Sequence, residues 1–243
     1  MNAAPRSFYR TTIGKKMVMA VSGLVLVGFV IGHLLGNLQI FLELTGENNG
    51  RHALNSYAHL LHSLPALLWG TRILLVVAVL AHFASAFALV MQNRRARPQG
   101  YRVTVHQRTT FAARTLRWGG VIILAFIVYH LGHLTLGVLK PGLERVAGGA
   151  LAVDGYGHID VYANVIRGFQ VEWVAAIYIV ANALLGFHLY HGVWSMLQTL
   201  GVSHPRLNNG QRDRRKLAAA FVGLFIAAGN ISIPVAVLAG LIK

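Results

Sequence analysis

Residues 17–42 read MVMAVSGLVLVGFVIGHLLGNLQIFL, a run without a single charge and with one histidine, His33, inside it. An α-helix rises about 1.5 Å per residue, so about 20 apolar residues cross the roughly 30 Å of bilayer hydrocarbon. Two basic clusters, Arg6/Arg10 and Lys15/Lys16, precede the run. It is nevertheless longer than the roughly 7–15 residue core of a cleaved signal, so it reads as a retained first span. Four further stretches qualify: Ala66–Met91, Phe111–Leu139, Val171–Leu200 and Leu217–Ile242. The expected fold is all-α, an integral membrane bundle of five transmembrane helices, with residues 1–243 forming one domain.

Composition agrees. Of 243 residues, 55% are hydrophobic and 12% charged, against about 25% charged in soluble domains. The net charge of +15 does not point to nucleic acid, because the basic residues form short clusters between apolar runs, as topology signals do. The chain has no cysteine, which excludes protein-ligated iron–sulfur clusters, c-type haem attachment and disulfides. Histidine, present twelve times, is left as the leading metal ligand.

The connections set a direction. Residues 92–116 carry Arg94, Arg95, Arg97, Arg102, Arg108 and Arg114, and residues 201–216 carry Arg206, Arg212, Arg214, Arg215 and Lys216. With the N-terminus they give one side sixteen Lys and Arg against six on the other, and Asp213 is the only acid of seven on the basic side. Basic residues favour the cytoplasm, so the N-terminus is expected inside and the C-terminus outside.

Six histidines fall within spans: His33, His82, His130, His133, His188 and His191. Ionisable groups in hydrocarbon are costly and usually functional, although a lone one often only bonds a neighbouring helix. Depth sorts them. His33 precedes Leu42 by nine residues and His130 precedes Lys140 by ten, about 14–15 Å below the outer boundary. His82 follows Trp69 by thirteen and His188 follows Glu172 by sixteen, about 20–24 Å down. Facing histidines from two helices, at two levels, are what bis-histidine haem needs. Gly28, Gly32, Gly36, Ser85, Gly132, Gly137, Gly186 and Gly192 are small residues near these histidines. They suit the approach of a macrocycle, and equally suit close helix packing. His133 and His191 lie three residues after His130 and His188, and spacing alone leaves either member of each couple as the ligand. Zinc or di-iron binding is disfavoured because no intramembrane carboxylate accompanies the histidines.

Taken in order, SFYRTTIGKK, GHLLGN, ALNSYAHLLHSLP, LAHFASAFAL, RWGGVIILAFIVYHLGH and FHLYHGVWS resemble the single-chain di-haem cytochrome b anchor of succinate dehydrogenase (complex II) and its fumarate reductase relatives. The resemblance covers nearly the whole chain. It implies axial ligands at His33, His82, His130 and His188, with the first span paired to the third and the second to the fourth. His133 and His191 then lie behind the ligands or near the quinone. It further implies two haems b, a quinone (menaquinone) as substrate, and a cytoplasmic flavoprotein and iron–sulfur protein as partners. Localisation would be the plasma membrane of a prokaryote, and a higher oligomer of the complex stays open. The chemistry on succinate would belong to the partner, not to this chain.

Beyond the haems, Arg72 and Arg117 are candidates for haem propionates, or boundary arginines that reach the headgroups. Glu43 and His59 are candidates for a quinone site that needs protons. Residues 48–62, with His62, can equally be a solvated interfacial helix. Pro234 is expected to kink the fifth span. The alternatives are a haem b anchor of a formate dehydrogenase or hydrogenase, a histidine-lined transporter without haem, and a bare anchor.

Overall fold

A computed structural model describes residues 8–45, 49–96, 111–139, 151–153, 157–202 and 213–243, apart from the side chains of residues 43, 44 and 111–114. The basic segments at 97–110 and 203–212, with Arg97, Arg102, Arg108, Arg206 and Arg212, lie outside the described residues, as do the Arg114 and Glu43 side chains.

The first helix, α1 (Thr12–Asn37), starts where the Thr11 hydroxyl accepts the Gly14 N–H, an N-cap that satisfies one orphan donor of the first turn. It continues as a 3-10 stretch, Leu38–Thr45. Then follow α2 (Asn49–His62), α3 (Pro65–Arg95), α4 (Phe111–His130), α5 (Val161–Phe169), α6 (Glu172–Thr199) and α7 (Arg214–Leu238). Pro65 opens α3 in the first turn, where its missing N–H costs nothing. Five helices are long and apolar enough to cross a membrane: Thr12–Leu42, Pro65–Arg95, Thr115–Thr135, Glu172–Thr199 and Arg214–Leu238. Leu74, Val76, Val77 and Leu80 on α3 and Phe221 and Leu224 on α7 are all more than half exposed. An apolar surface of that extent belongs against lipid, and the chain is a multi-pass membrane protein.

Two spans stop at least four residues short of the sequence expectation. The third span was expected to run to Leu139, but α4 ends at His130 and passes into a π-helical turn over Leu131–Thr135. There the Leu136 N–H reaches back five residues to the Leu131 carbonyl at 2.8 Å. The fifth span was expected to reach Ile242, but α7 stops at Leu238. Gly240 takes φ +69°, Leu241 N–H bonds the Ala236 carbonyl and Gly240 N–H bonds the Val237 carbonyl, which is a Schellman termination. Pro234 sits inside α7.

α6 and α7 pack closest. A Cβ added at Gly223 would stand 2.7 Å from the Gly186 carbonyl oxygen, and one at Gly186 would stand 2.8 Å from the Ala227 Cβ. Small residues permit this approach of backbones, which membrane helices use to associate. Leu34, Leu189 and Ile226 fill the middle of the bundle.

Two connections contain helices: the stretch around His59 and His62, weighed in the sequence as an interfacial helix, forms α2, and the connection before α6 carries α5. Together α2 and α5 build a cap over one end of the bundle, with Leu54, Tyr162, Ile166 and Phe169 packed on Val174, Tyr178, Ile233 and Val237. Asp160, 1% exposed, holds the cap together. Its carboxylate N-caps α5 by accepting the Ala163 N–H at 3.0 Å, and it also accepts Asn55 Nδ2 at 2.9 Å and Arg51 Nη2 at 2.5 Å. Burial pushes this carboxyl up, but the bonds from Ala163, Asn55 and Arg51, with the Arg51 charge, outweigh it and hold it below its usual range. At the other end Asp213 caps α7. It accepts bonds from Arg215 Nε at 2.9 Å and Trp194 Nε1 at 3.0 Å, which hold its carboxyl down at about 2.

Candidate functional site

The spans that carry histidines bring four of them together in two couples. His33 on α1 faces His130 on α4, ring centres 5.9 Å apart. His82 on α3 faces His188 on α6, ring centres 6.2 Å apart. A metal–imidazole bond of about 2.0 Å, with about 1 Å more from nitrogen to ring centre, puts two axial rings about 6 Å apart. Both couples meet that spacing.

The couples lie at separate heights. The His82 ring touches Ser22 of α1, eleven residues before His33, a rise of about 16 Å. A Cβ at Gly120 of α4 would stand 3.7 Å from His188, and Gly120 precedes His130 by ten residues, about 15 Å. The levels are therefore further apart than the depths counted from Trp69 and Glu172 suggested.

Two of the four rings are hydrogen-bonded from behind and a third is stacked. Nδ1 of His82 lies 3.1 Å from the Met19 carbonyl, which calls for a proton on Nδ1 and leaves Nε2 as the bare nitrogen. Nδ1 of His130 lies 3.3 Å from the Tyr178 hydroxyl. His33 stacks on Phe29 one turn earlier, 5.4 Å between centres.

The surroundings suit a large planar group. Gly119 is buried, yet a Cβ there would meet no atom within 4 Å, so an enclosed space lies beside it. Gly28 and Gly32, both exposed, and half-buried Gly192 also meet no atom within 4 Å. The Ser85 hydroxyl, on a fully buried residue one turn after His82, and Nδ1 of His188 have no hydrogen-bond partner among the described residues. Buried polar atoms are rarely left so. Among the described residues no group of three or more His, Asp or Glu is placed to hold a metal ion by itself. Paired imidazoles fit a macrocycle that supplies the remaining ligands to its own metal.

The small residues divide into two sets. Gly28, Gly32 and Gly192 border open space, whereas Gly36 packs on Tyr57, Gly132 on Leu139, Gly137 on Leu151 and Gly186 on α7. Of the two roles the sequence allowed these small residues, the last four take close packing.

The remaining candidates lie elsewhere. His133 is fully buried, bonded at Nδ1 to Tyr178 at 3.0 Å and stacked on Tyr129, with Gly168 of α5 at its Nε2 edge. His191 meets Trp194, 5.9 Å between centres. Arg72 places its guanidinium 5.0 Å above the Trp69 ring on its own helix, and Arg117 is exposed on α4. His59 lies in the cap, 4.5 Å from His158. His62 turns back to the Ala58 carbonyl at 2.8 Å. Glu43 has its backbone in the 3-10 stretch that follows α1.

Tyr178 was missed in the sequence. It joins His130 to His133 and is ringed by Phe126 and Phe169. Its only signal was a phenol inside an apolar span, six residues after Glu172, where an interfacial anchor is the common reading. No family model, no curated protein and no solved structure gives a significant match to this chain.

Proposed function

We propose that the chain is the di-haem cytochrome b anchor of a succinate:quinone oxidoreductase in the plasma membrane of a prokaryote, passing electrons from an iron–sulfur partner to menaquinone. The observation that carries this is the pair of cross-bundle histidine couples, 5.9 and 6.2 Å between ring centres, at two heights on shared helices. His33 and His130 would grip one haem b, and His82 and His188 the other. A bound haem b supplies an iron that takes up and gives up one electron at a time. The chain's own residues orient the axial imidazoles through Met19 and Tyr178 and exclude water with apolar walls.

The sixteen-to-six distribution of basic residues supports a cytoplasmic N-terminus. The couple near the start of α1, His82 with His188, is then the inner one. The basic segments on that side also suit docking of a flavoprotein and an iron–sulfur protein, which would carry the succinate chemistry. Glu43 and His59, at the opposite end, would supply protons to the quinone, with Arg72 and Arg117 near the propionates.

The test is a reduced-minus-oxidised spectrum with a pyridine haemochrome count on the purified chain. Two haems b per chain are expected. One would show that a couple is misassigned, and none would overturn the reading in favour of the transporter or the bare anchor. In membranes, succinate is expected to reduce the b-haem band. Reduction by formate or hydrogen instead would assign the chain to another dehydrogenase.

A further inference from the structure

The di-haem reading leaves His133 unused: a fully buried imidazole three residues after His130, joined to it through one phenol. Resting on that reading, we propose that Tyr178 is a positioning residue that fixes the tautomer of His130 and keeps His133 as a hydrogen-bond acceptor, so that His130 alone offers a bare Nε2 toward His33.

Tyr178 is buried, and its hydroxyl lies 3.3 Å from His130 Nδ1 and 3.0 Å from His133 Nδ1. Among the described residues these two nitrogens are its hydrogen-bond partners. A neutral imidazole carries one N–H, and a tyrosine hydroxyl has one proton to give. With no third acceptor among the described residues, that proton goes to one of the two nitrogens. The histidine that receives it has Nδ1 bare and Nε2 protonated, and cannot bind a metal through Nε2. The other donates its Nδ1–H to the phenol oxygen and keeps Nε2 bare. One hydroxyl therefore makes ligation by the two histidines mutually exclusive.

Packing decides which way the chain runs. The His130 ring faces His33. The Nε2 edge of His133 faces α5 so closely that a Cβ at Gly168 would stand 2.9 Å from Cε1 and 3.2 Å from Nε2. No macrocycle fits there. The π-helical turn over Leu131–Thr135 contributes: more residues per turn swing His133 off the face it would share with His130 in an α-helix. The donor chain is thus His130 Nδ1–H to Tyr178 oxygen, then Tyr178 O–H to His133 Nδ1. Phe126 and Phe169, edge-on at 5.0 and 4.8 Å, hold the phenol in line. A bond accepted from Nδ1–H raises the donor strength of a ligating imidazole, which favours the oxidised metal and lowers its potential.

The experiment is a potentiometric titration of the purified full chain with its haems, read optically and by the ferric low-spin paramagnetic resonance signals, on wild type and Tyr178→Phe. The variant is expected to keep two haems, to raise the midpoint potential and shift the signal of one, and to leave the other at its wild-type values. As a second arm, His133→Leu is expected to keep two haems per chain and His130→Leu to keep one. Unchanged potentials and signals in Tyr178→Phe would overturn the proposal, as would loss of a haem in His133→Leu. Wild type without haem would instead overturn the di-haem reading on which the proposal rests.

Discussion

Replacing Asp160 by alanine is expected to open the cap without unfolding the bundle. Three bonds are lost together: the N-cap to Ala163, the acceptor of Asn55 Nδ2 and the partner of Arg51. An N-cap contributes about 1 kcal/mol, and the half-buried Asn55 amide left without its acceptor costs about 1 kcal/mol more. The Arg51 side chain is 50% exposed, so losing its ion pair adds at most about 0.5 kcal/mol. The sum is about 2–2.5 kcal/mol. At about 1.4 kcal/mol per tenfold, amides of α5 that exchange through local opening should exchange about 30- to 60-fold faster. Asp160→Asn keeps the cap, because asparagine caps as well as aspartate, and weakens only the ion pair, so about 2- to 3-fold is expected. Hydrogen–deuterium exchange by mass spectrometry on peptides covering Val161–Phe169 reads both variants, with peptides of α7 as the internal control. Equal exchange in Asp160→Ala and wild type would refute the reasoning. So would an asparagine variant as fast as the alanine one, since the charge and not the cap would then hold the helix.

Acidification should act on the same joint. Asp160 is held below its ordinary value of 3.8, so its contribution is complete above that value and is lost as pH falls through the lowered one; α5 exchange, corrected for the intrinsic rate, should rise only below about pH 4. Gly223→Leu would drive a side chain into the Gly186 carbonyl and should lower stability by about 1–3 kcal/mol, read as the midpoint of unfolding in mixed detergent. Gly28→Ala and Gly192→Ala meet no protein atom within 4 Å. They should therefore fold as wild type, yet retain less haem per chain in the haemochrome assay if the open space beside them is a cofactor slot.

The five spans were legible because an uncharged run such as residues 17–42 has no other stable home, whatever its tertiary contacts. The span histidines were legible for the same reason, since a polar ring inside such a run stands out by itself; which of His130 or His133, and of His188 or His191, faces a partner was not. What failed depended on partners. The nine residues of α5 are too few to show a period, and their start is marked only by Asp160, whose role needs Arg51 and Asn55, more than a hundred residues earlier. The end of α7 was hidden because Ala239, Leu241 and Ile242 continue the apolar run, while a single glycine, Gly240, turns the chain. The glycines near the histidines could not be sorted, since a missing Cβ looks alike whether a helix or an open slot lies beside it. Tyr178 was unreadable because a phenol is ordinary in a span until two imidazoles are seen to share it.

The helix without a histidine bears on the same chemistry. α7 lies against α6 where Gly223 meets Gly186, two residues before His188, and against α1 where a Cβ at Gly229 would stand 2.9 Å from Leu34, the residue after His33. It thus backs one member of each couple, the two levels being about 15 Å apart. Closely packed interiors transmit displacement because they have no slack to absorb it. In the di-haem reading, a ring held to about 6 Å from its partner would tolerate little such movement before one nitrogen left bonding range. Four helices suffice to carry the four imidazoles. The fifth holds α6 and α1 in register behind them, which explains why the smallest residues of α7, Gly223 and Gly229, sit where the helix backs the histidine-bearing spans.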